Sequence, residues 1–289
     1  MFFICHAKLL KILYSVHQCA FHTERGESRK MAYPQHNMPN LNGWSLLERT
    51  DIEKRSSFKF HFSNEKAAFP ASLLLNKERM LSYMETVGDK IGSKEKRVIA
   101  SMFFKRYVFC ILTSSLYALS MLNKQFDIRL ENVVIIEEED SEKEHSWLPS
   151  FSLQNSDGMP MAGNRENWRS SVVETLFAKN ISVMLDYLAA STKASKAMLW
   201  ENALLYIAWL YNTWKGENHP SEIHERLIDD YQFLMEQAQG FHFGTASNPF
   251  IELAARYEDH QFQQRKTCCL YYRTDGGTCC NTCPLKKAD

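Results

Sequence analysis

Five of the eight cysteines of this 289-residue chain lie close together near its C-terminal end. They fall within the stretch RKTCCLYYRTDGGTCCNTCPL, residues 265–285, where four of them form two adjacent pairs. Thiolates bind zinc and iron–sulfur clusters, and two thiols can also join as a disulfide. The stretch therefore predicts one of three things: a disulfide staple, a zinc site or an iron–sulfur cluster.

A disulfide staple explains this crowding poorly. A bond between neighbouring cysteines closes a strained small ring and constrains almost nothing. Small secreted scaffolds spread their cysteines along the chain, whereas only Cys5, Cys19 and Cys110 lie outside the stretch. We therefore expect a cytoplasmic protein, in which clustered thiols more often hold metal.

The choice between zinc and a cluster depends on the spacing. The order is Cys268-Cys269, ten residues, Cys280, two residues and Cys283, with Cys279 as an extra thiol. A Cys-x-x-Cys turn is half of a common four-cysteine zinc site, but the other half would be a second such turn and not a vicinal pair. Adjacent side chains of extended backbone point to opposite sides, which suits two irons better than one zinc. These residues favour a 2Fe-2S cluster and leave zinc open.

The same stretch resembles the C-terminal signature of the FhuF-type ferric siderophore reductases. The vicinal pair, the ten-residue spacer and the Cys-x-x-Cys are similar, as are CCLYYR, the glycines and CPL. The resemblance implies that Cys268, Cys269, Cys280 and Cys283 hold a 2Fe-2S cluster. Cys279 departs from the family pattern, and the spacing favours its neighbour Cys280 as the ligand. FhuF-like chains also resemble the C-terminal region of siderophore synthetases of the IucA/IucC type, so a relation in fold is expected.

The resemblance implies an enzyme with simple chemistry. A siderophore holds ferric iron with hard oxygen donors and ferrous iron far less tightly, so one electron releases the metal. We expect the 2Fe-2S cluster to pass that electron to a bound ferric hydroxamate or citrate–hydroxamate siderophore. The ten histidines are scattered and suggest no acid–base triad, so no catalytic residues are expected beyond the cluster.

The residues around the cysteines are locally basic. Arg265, Lys266 and Arg273 are the candidates for binding an anionic chelate. Arginine offers a planar fork that matches carboxylate or hydroxamate oxygens. Ordinary solubilising charges would look the same in the sequence.

Composition limits the partners. Lysine plus arginine and aspartate plus glutamate both number 34, so no overall charge attracts nucleic acid. The sequence contains no Rossmann glycine fingerprint and no flavin motif, so a separate ferredoxin-, flavin- or NAD(P)H-dependent donor must supply the electron. We expect no transmembrane segment and leave open a peripheral position at the inner membrane near a siderophore transporter. The alternative function is a non-enzymatic iron–sulfur electron carrier or iron sensor.

The sequence pattern along the rest of the chain predicts the elements that hold this site, and they form an α+β fold in three parts. Residues 1–30 are either an N-terminal extension or upstream of a native start at Met31. Residues 31–160 form a subdomain with a small antiparallel sheet and helices. Residues 161–289 form a mainly helical subdomain that ends in the iron–sulfur motif.

Within these parts, residues 94–122 are apolar around most of their circumference and predict a central core helix. Lys105 and Arg106 fall in its middle, which would be costly in lipid. Val133 to Ile136 and the segment WLPSFSLQNSDG predict a hairpin with an acidic tip at 137–144, and SSFKFHFSN predicts a further strand. A helix is expected to end near Gly92, and Ser93 and Ser221 are expected to cap the N-termini of two others.

Overall fold

The computed structural model describes residues 42–61, 67–137, 147–257, 262, 264–280 and 282–286. Within these residues, helices and short strands share the first half, and helices alone follow residue 161. The expectations for residues 1–30 and for most of the acidic tip at 137–144 lie outside the described residues. The α+β class, with a small antiparallel sheet and a mainly helical second half, is confirmed.

The helices are α1 (Leu46–Ser56), α2 (Lys77–Ile91), α3 (Lys96–Leu122), α4 (Arg165–Leu176), α5 (Ser182–Thr192), α6 (Lys196–Lys215), α7 (Ser221–Gln232) and α8 (Pro249–Ala254). The strands are β1 (Ala68–Pro70), β2 (Lys124–Gln125), β3 (Val133–Ile136), β4 (Ser150–Leu153) and β5 (Met159–Pro160). A π-helical turn, Phe177–Ile181, joins α4 to α5, and a second, Phe233–Gln237, follows α7.

Helix α3 is the centre of the molecule. Helices α1, α2, α4, α5, α6 and α7 all pack against it. Among the described helices it alone is long and apolar enough to cross a membrane, yet 83% of its most apolar window is buried inside the protein. An apolar circumference is satisfied when neighbours cover every side of a helix. The prediction of a central core helix is confirmed.

The predicted hairpin is also confirmed. Strands β3 and β4 pair antiparallel, with Val133 opposite Leu153 and Ile136 opposite Ser150. Strand β1 pairs with the other edge of β3. All four residues of β3 are buried, and the chain at Phe58 makes a bridge to Phe151 on the outer edge of β4.

The strand predicted for SSFKFHFSN is wrong in extent. Its described part makes a single bridge, between Phe58 and Phe151, and no ladder. Phe58 and Phe60 are buried as predicted, and both rings pack on Phe126. The alternating pattern therefore reports a buried aromatic cluster that needs no continuous strand.

Two helix starts differ from the predictions, one by two residues and the other by one. Helix α2 ends as expected, with Gly92 in the left-handed conformation. Ser93 donates its backbone N–H to Gly88 and so completes that ending, and α3 begins at Lys96. Pro220 occupies the cap position of α7, because its carbonyl already accepts N–H bonds from the first turn, and Ser221 is the first helical residue.

Apart from a small cluster of buried cysteines, one hydrophobic core runs through the described chain. It extends from Trp44 to Phe262 and includes residues on both sides of position 160. Helix α3 connects the two sides, because it packs against α1 and α2 as well as against α6 and α7. The division into subdomains 31–160 and 161–289 stays a prediction.

Candidate metal centre

The cysteine-rich segment lies against the N-terminal half of α3. The hydroxyl of Ser101 donates to the carbonyl oxygen of Cys269 at 2.8 Å. The backbone N–H of Asp275 donates to the carbonyl oxygen of Ile91 at 3.0 Å. Gly92 leaves the room for this contact, since a Cβ there would lie 2.4 Å from the Cβ of Asp275. The central helix and the end of α2 therefore hold the cysteine-rich segment in place through hydrogen bonds.

The four predicted ligand residues come together as two thiol pairs. The thiol of Cys269 is within hydrogen-bonding reach of Cys280, and that of Cys268 is within reach of Cys283. Cys269, Cys280 and Cys283 are buried, and Cys268 is half-buried. Cys279 is exposed, although its thiol also reaches Cys283. Each pair takes one cysteine from either half of the motif.

The backbone turns sharply after the vicinal pair. Leu270 has a φ of 62°, a left-handed conformation that non-glycine residues rarely adopt. Its N–H points back at the sulfur of Cys268, with the nitrogen 3.4 Å from Sγ. The backbone at Leu270 is therefore not extended, contrary to the expectation from the sequence. The turn brings two adjacent thiols to neighbouring partners, and such local strain often marks a functional site.

The DGG sequence reverses the chain between the two halves of the motif. Gly276 has a φ of 64°, and the N–H of Gly277 donates to the carbonyl of Thr274 at 3.0 Å. Only glycine fits at 277, because a Cβ would lie 2.1 Å from the carbonyl oxygen of Tyr271. The reversal returns the Cys-x-x-Cys turn to the vicinal pair.

A buried carboxylate fixes the chain just before the cysteines. Glu201 of α6 is 0% exposed and accepts the backbone N–H groups of Lys266 at 2.7 Å and Thr267 at 3.0 Å. The hydroxyls of Thr267 and Tyr257 also donate to it. We call these contacts the Glu201 brace. Sequence reasoning missed it, although an acid inside the apolar stretch AMLWENALLYIAW was a usable signal.

Lys105 of α3 is the second residue that sequence reasoning missed. Its Nζ lies 3.9 Å from the Sγ of Cys269 and 5.6 Å from the ring centroid of Tyr271. Contact with Cys280 and burial raise the pKa of the Cys269 thiol to about 12, and the charges of Lys105 and Arg265 act in the opposite direction. Both cations therefore favour the thiolate, the form that binds metal.

The three candidate substrate residues have different surroundings. Arg265 is buried, and its guanidinium donates to Asn202 at 2.6 Å and to the carbonyl of Thr267 at 3.1 Å. It therefore faces the protein interior and is not positioned for direct contact with a chelate. Lys266 and Arg273 are exposed. For these two, substrate binding stays a prediction.

The exposed pair also has neighbours of its own. The Nζ of Lys266 lies 5.3 Å from the ring centroid of Tyr257. Arg273 forms an ion pair with Glu95 at 2.5 Å, with both side chains about half exposed. Any chelate that binds Arg273 must therefore compete with a carboxylate.

The donor set fits a 2Fe-2S cluster. Two irons require two thiolate pairs, and the segment supplies two such pairs. In addition, a backbone N–H is directed at the sulfur of Cys268, and the ammonium of Lys105 lies beside the sulfur of Cys269. Cys268, Cys269, Cys280 and Cys283 are the residues that would hold the cluster.

This fold and this centre define a 2Fe-2S protein whose thiols are carried by a large helical body. Comparison with protein families narrows the class. The model of the ferric iron reductase FhuF-like transporter family matches residues 101–263, and the FhuF 2Fe-2S C-terminal domain matches residues 265–285. The chain belongs to the FhuF-like ferric iron reductase family. No protein of curated function matches it, and the fold relation to the IucA/IucC synthetases stays a prediction.

Proposed function

We propose that this protein is a ferric siderophore reductase, which passes one electron from its 2Fe-2S cluster to a bound ferric hydroxamate or citrate–hydroxamate siderophore and releases ferrous iron in the cytoplasm. The observation that carries the proposal is the paired-thiol centre of a ferric iron reductase family, seated on a large helical body. When bound, such a cluster supplies one electron at a time. One electron is what release from a hard-oxygen chelate requires.

The chain's own task is to hold the chelate beside the centre. Lys266 and Arg273 are exposed cations next to the cysteines and suit an anionic chelate. Exposed ion pairs such as that of Arg273 with Glu95 are worth about 0–1 kcal/mol, so chelate oxygens can replace the carboxylate at little cost. The guanidinium fork then offers two donors to hydroxamate or carboxylate oxygens.

A non-enzymatic electron carrier or iron sensor is the second candidate. It would use the same centre, and in either case a separate ferredoxin-, flavin- or NAD(P)H-dependent donor would reduce it. The body that precedes the cysteines favours the reductase, because a small carrier needs no such body to hold its cluster. A peripheral position at the inner membrane, near a siderophore transporter, would deliver the chelate directly.

The test is a stoichiometric reaction under anaerobic conditions. Chemically reduced protein is mixed with a ferric hydroxamate siderophore and a ferrous-specific trap. We expect the cluster to reoxidise and about one ferrous ion to appear per cluster. If no ferric siderophore reoxidises the reduced cluster, yet the cluster passes its electron to a partner protein, the proposed reductase function is wrong and the carrier function is correct.

A further inference from the structure

We propose that Lys105 is a positioning residue that sets the reduction potential of the centre, by directing its ammonium group at the sulfur of Cys269. This inference concerns the cluster named in the proposed function and deepens it, because the potential decides which chelates the protein can reduce.

The position of Lys105 in α3 is the first argument. The helix is almost entirely apolar from Val98 to Leu112, and Lys105 and Arg106 are the charges within that run. Arg106 donates twice to the carbonyl oxygen of Pro149, at 3.1 and 2.8 Å, on the sheet side of the helix. Lys105 points toward the cysteine segment instead. The two adjacent charges therefore serve different partners.

One face of α3 contacts the same cysteine twice. Ser101 and Lys105 are four residues apart and so lie above one another on the helix surface. Ser101 bonds to the carbonyl of Cys269, and the Nζ of Lys105 lies 3.9 Å from its sulfur. The backbone and the thiol of this residue are thus both held by the central helix. The ring of Tyr271, 5.6 Å from Nζ, helps to keep the ammonium in place.

The charge has a predictable effect on a bound cluster. Reduction adds negative charge, so a nearby cation favours the reduced state, and hydrogen bonds to the sulfurs act in the same direction. Lys105 is half-buried, so solvent screens its charge less than it screens a fully exposed lysine. Arg265 is also near Cys269 and Cys280, but its guanidinium is partly offset by Glu201. Lys105 is therefore the cation whose replacement changes the potential without breaking the Glu201 brace.

The experiment compares Lys105→Gln, Lys105→Arg and the parent holoprotein in redox titrations followed by visible absorption and EPR. We expect a more negative midpoint potential in Lys105→Gln and a return toward the parent value in Lys105→Arg. Lys215→Gln is the matched control. Lys215 is half-buried with its Nζ 4.8 Å from the ring centroid of Tyr231, and it lies fourteen residues beyond Glu201, about 21 Å along α6.

Each outcome decides the proposal. A fully loaded Lys105→Gln protein with the parent potential would overturn it, as would an equal shift in Lys215→Gln. If the glutamine variant loads poorly, Lys105→Met keeps the length of the stem and is titrated in its place. Loss of the cluster in both, with parent-like helix content, would assign Lys105 to holding the cluster and refute a role in its potential. No siderophore enters these titrations, so the result stands apart from that of the iron-release test.

Discussion

Cys279 and Cys280 are neighbours with opposite surroundings. Cys280 is buried, and its thiol meets that of Cys269. Cys279 is exposed. Burial among the other thiols agrees with the family spacing, which selects Cys280. The difference between two adjacent residues makes the ligand assignment testable by single substitutions.

Serine substitution should separate ligands from the spare thiol. Replacing Cys268, Cys269, Cys280 or Cys283 by serine is expected to abolish the red-brown colour and to reduce iron and sulfide far below the parent value of about two each per chain. Cys279→Ser is the matched control and should retain both. Metal analysis and visible spectra of anaerobically purified proteins make the measurement.

Two results would contradict this assignment. Bleaching of Cys279→Ser together with a coloured Cys280→Ser would exchange the two residues. A colourless parent protein that carries one zinc per chain would refute the cluster itself.

The sequence predicts which cysteines are the candidate ligands, but it does not predict the surroundings of those cysteines. Motif spacing is local, and the turns that pair the thiols use residues within the same stretch. Lys105 is 164 residues from Cys269, and Glu201 is 66 residues from Thr267. Contacts over such separations depend on how helices pack, and hydrophobic periodicity does not encode which polar side chains meet there. A charge inside an apolar helix is the available signal, and for Lys105 it predicts only that the helix does not lie in lipid.

At the level of elements, α6 supports the site through one carboxylate. Glu201 receives donors from the segment that leads into Cys268, and its oxygens are fully enclosed. A buried acceptor with several charge-assisted or backbone donors is costly to alter, because each unmatched donor loses about 1–3 kcal/mol. The brace therefore connects the stability of the helical body to the geometry of the thiols.

Glu201→Gln tests the brace. Glutamine keeps the size of the side chain but turns an NH₂ group toward donors, so we expect a lower Tm and faster loss of iron to a chelator. Glu222→Gln, on the exposed surface of α7, is the control and should match the parent. Thermal unfolding and chelator-dependent bleaching measure the two effects. Parent-like behaviour of Glu201→Gln in both would show that the brace does not support the centre.

The secondary structure was predictable where the pattern is long. Helix α3 and strand β3 follow from their apolar runs, since each is buried on all sides. The N-terminal caps of α3 and α7 were not predictable in this way. The backbone N–H of Ser93 completes the end of α2, and Pro220 occupies the cap position of α7 in place of Ser221. Phe58 and Phe60 alternate like a strand but pack as an aromatic cluster. Short patterns report burial more reliably than they report backbone hydrogen bonding.

On the scale of the whole molecule, the net charge is zero. Any recognition of a charged chelate would therefore depend on charged residues close to the binding site. The 34 basic and 34 acidic residues leave no net field to attract an anionic chelate from a distance. Lys266 and Arg273 are exposed on the cysteine-rich segment, which contacts α2, α3 and α6. If the chelate is anionic, its recognition is therefore expected to depend on these two exposed cations.

The rate of iron release should depend on Lys266 and Arg273 and on the salt concentration. With an anionic ferric siderophore, Arg273→Gln and Lys266→Gln are expected to slow ferrous release at low ionic strength while leaving the cluster content unchanged. Salt should slow the parent too, because exposed charges are screened beyond about 10 Å at roughly 0.1 M, and it should slow the two variants less.

Arg55→Gln is the control, since Arg55 also pairs with a glutamate, at 2.9 Å, and contacts Tyr117 near the far end of α3. Stopped-flow reoxidation across a salt series gives the rates. Variants with the parent rate and the parent salt dependence would remove both residues from chelate binding, and equal slowing in Arg55→Gln would attribute the effect to general destabilisation.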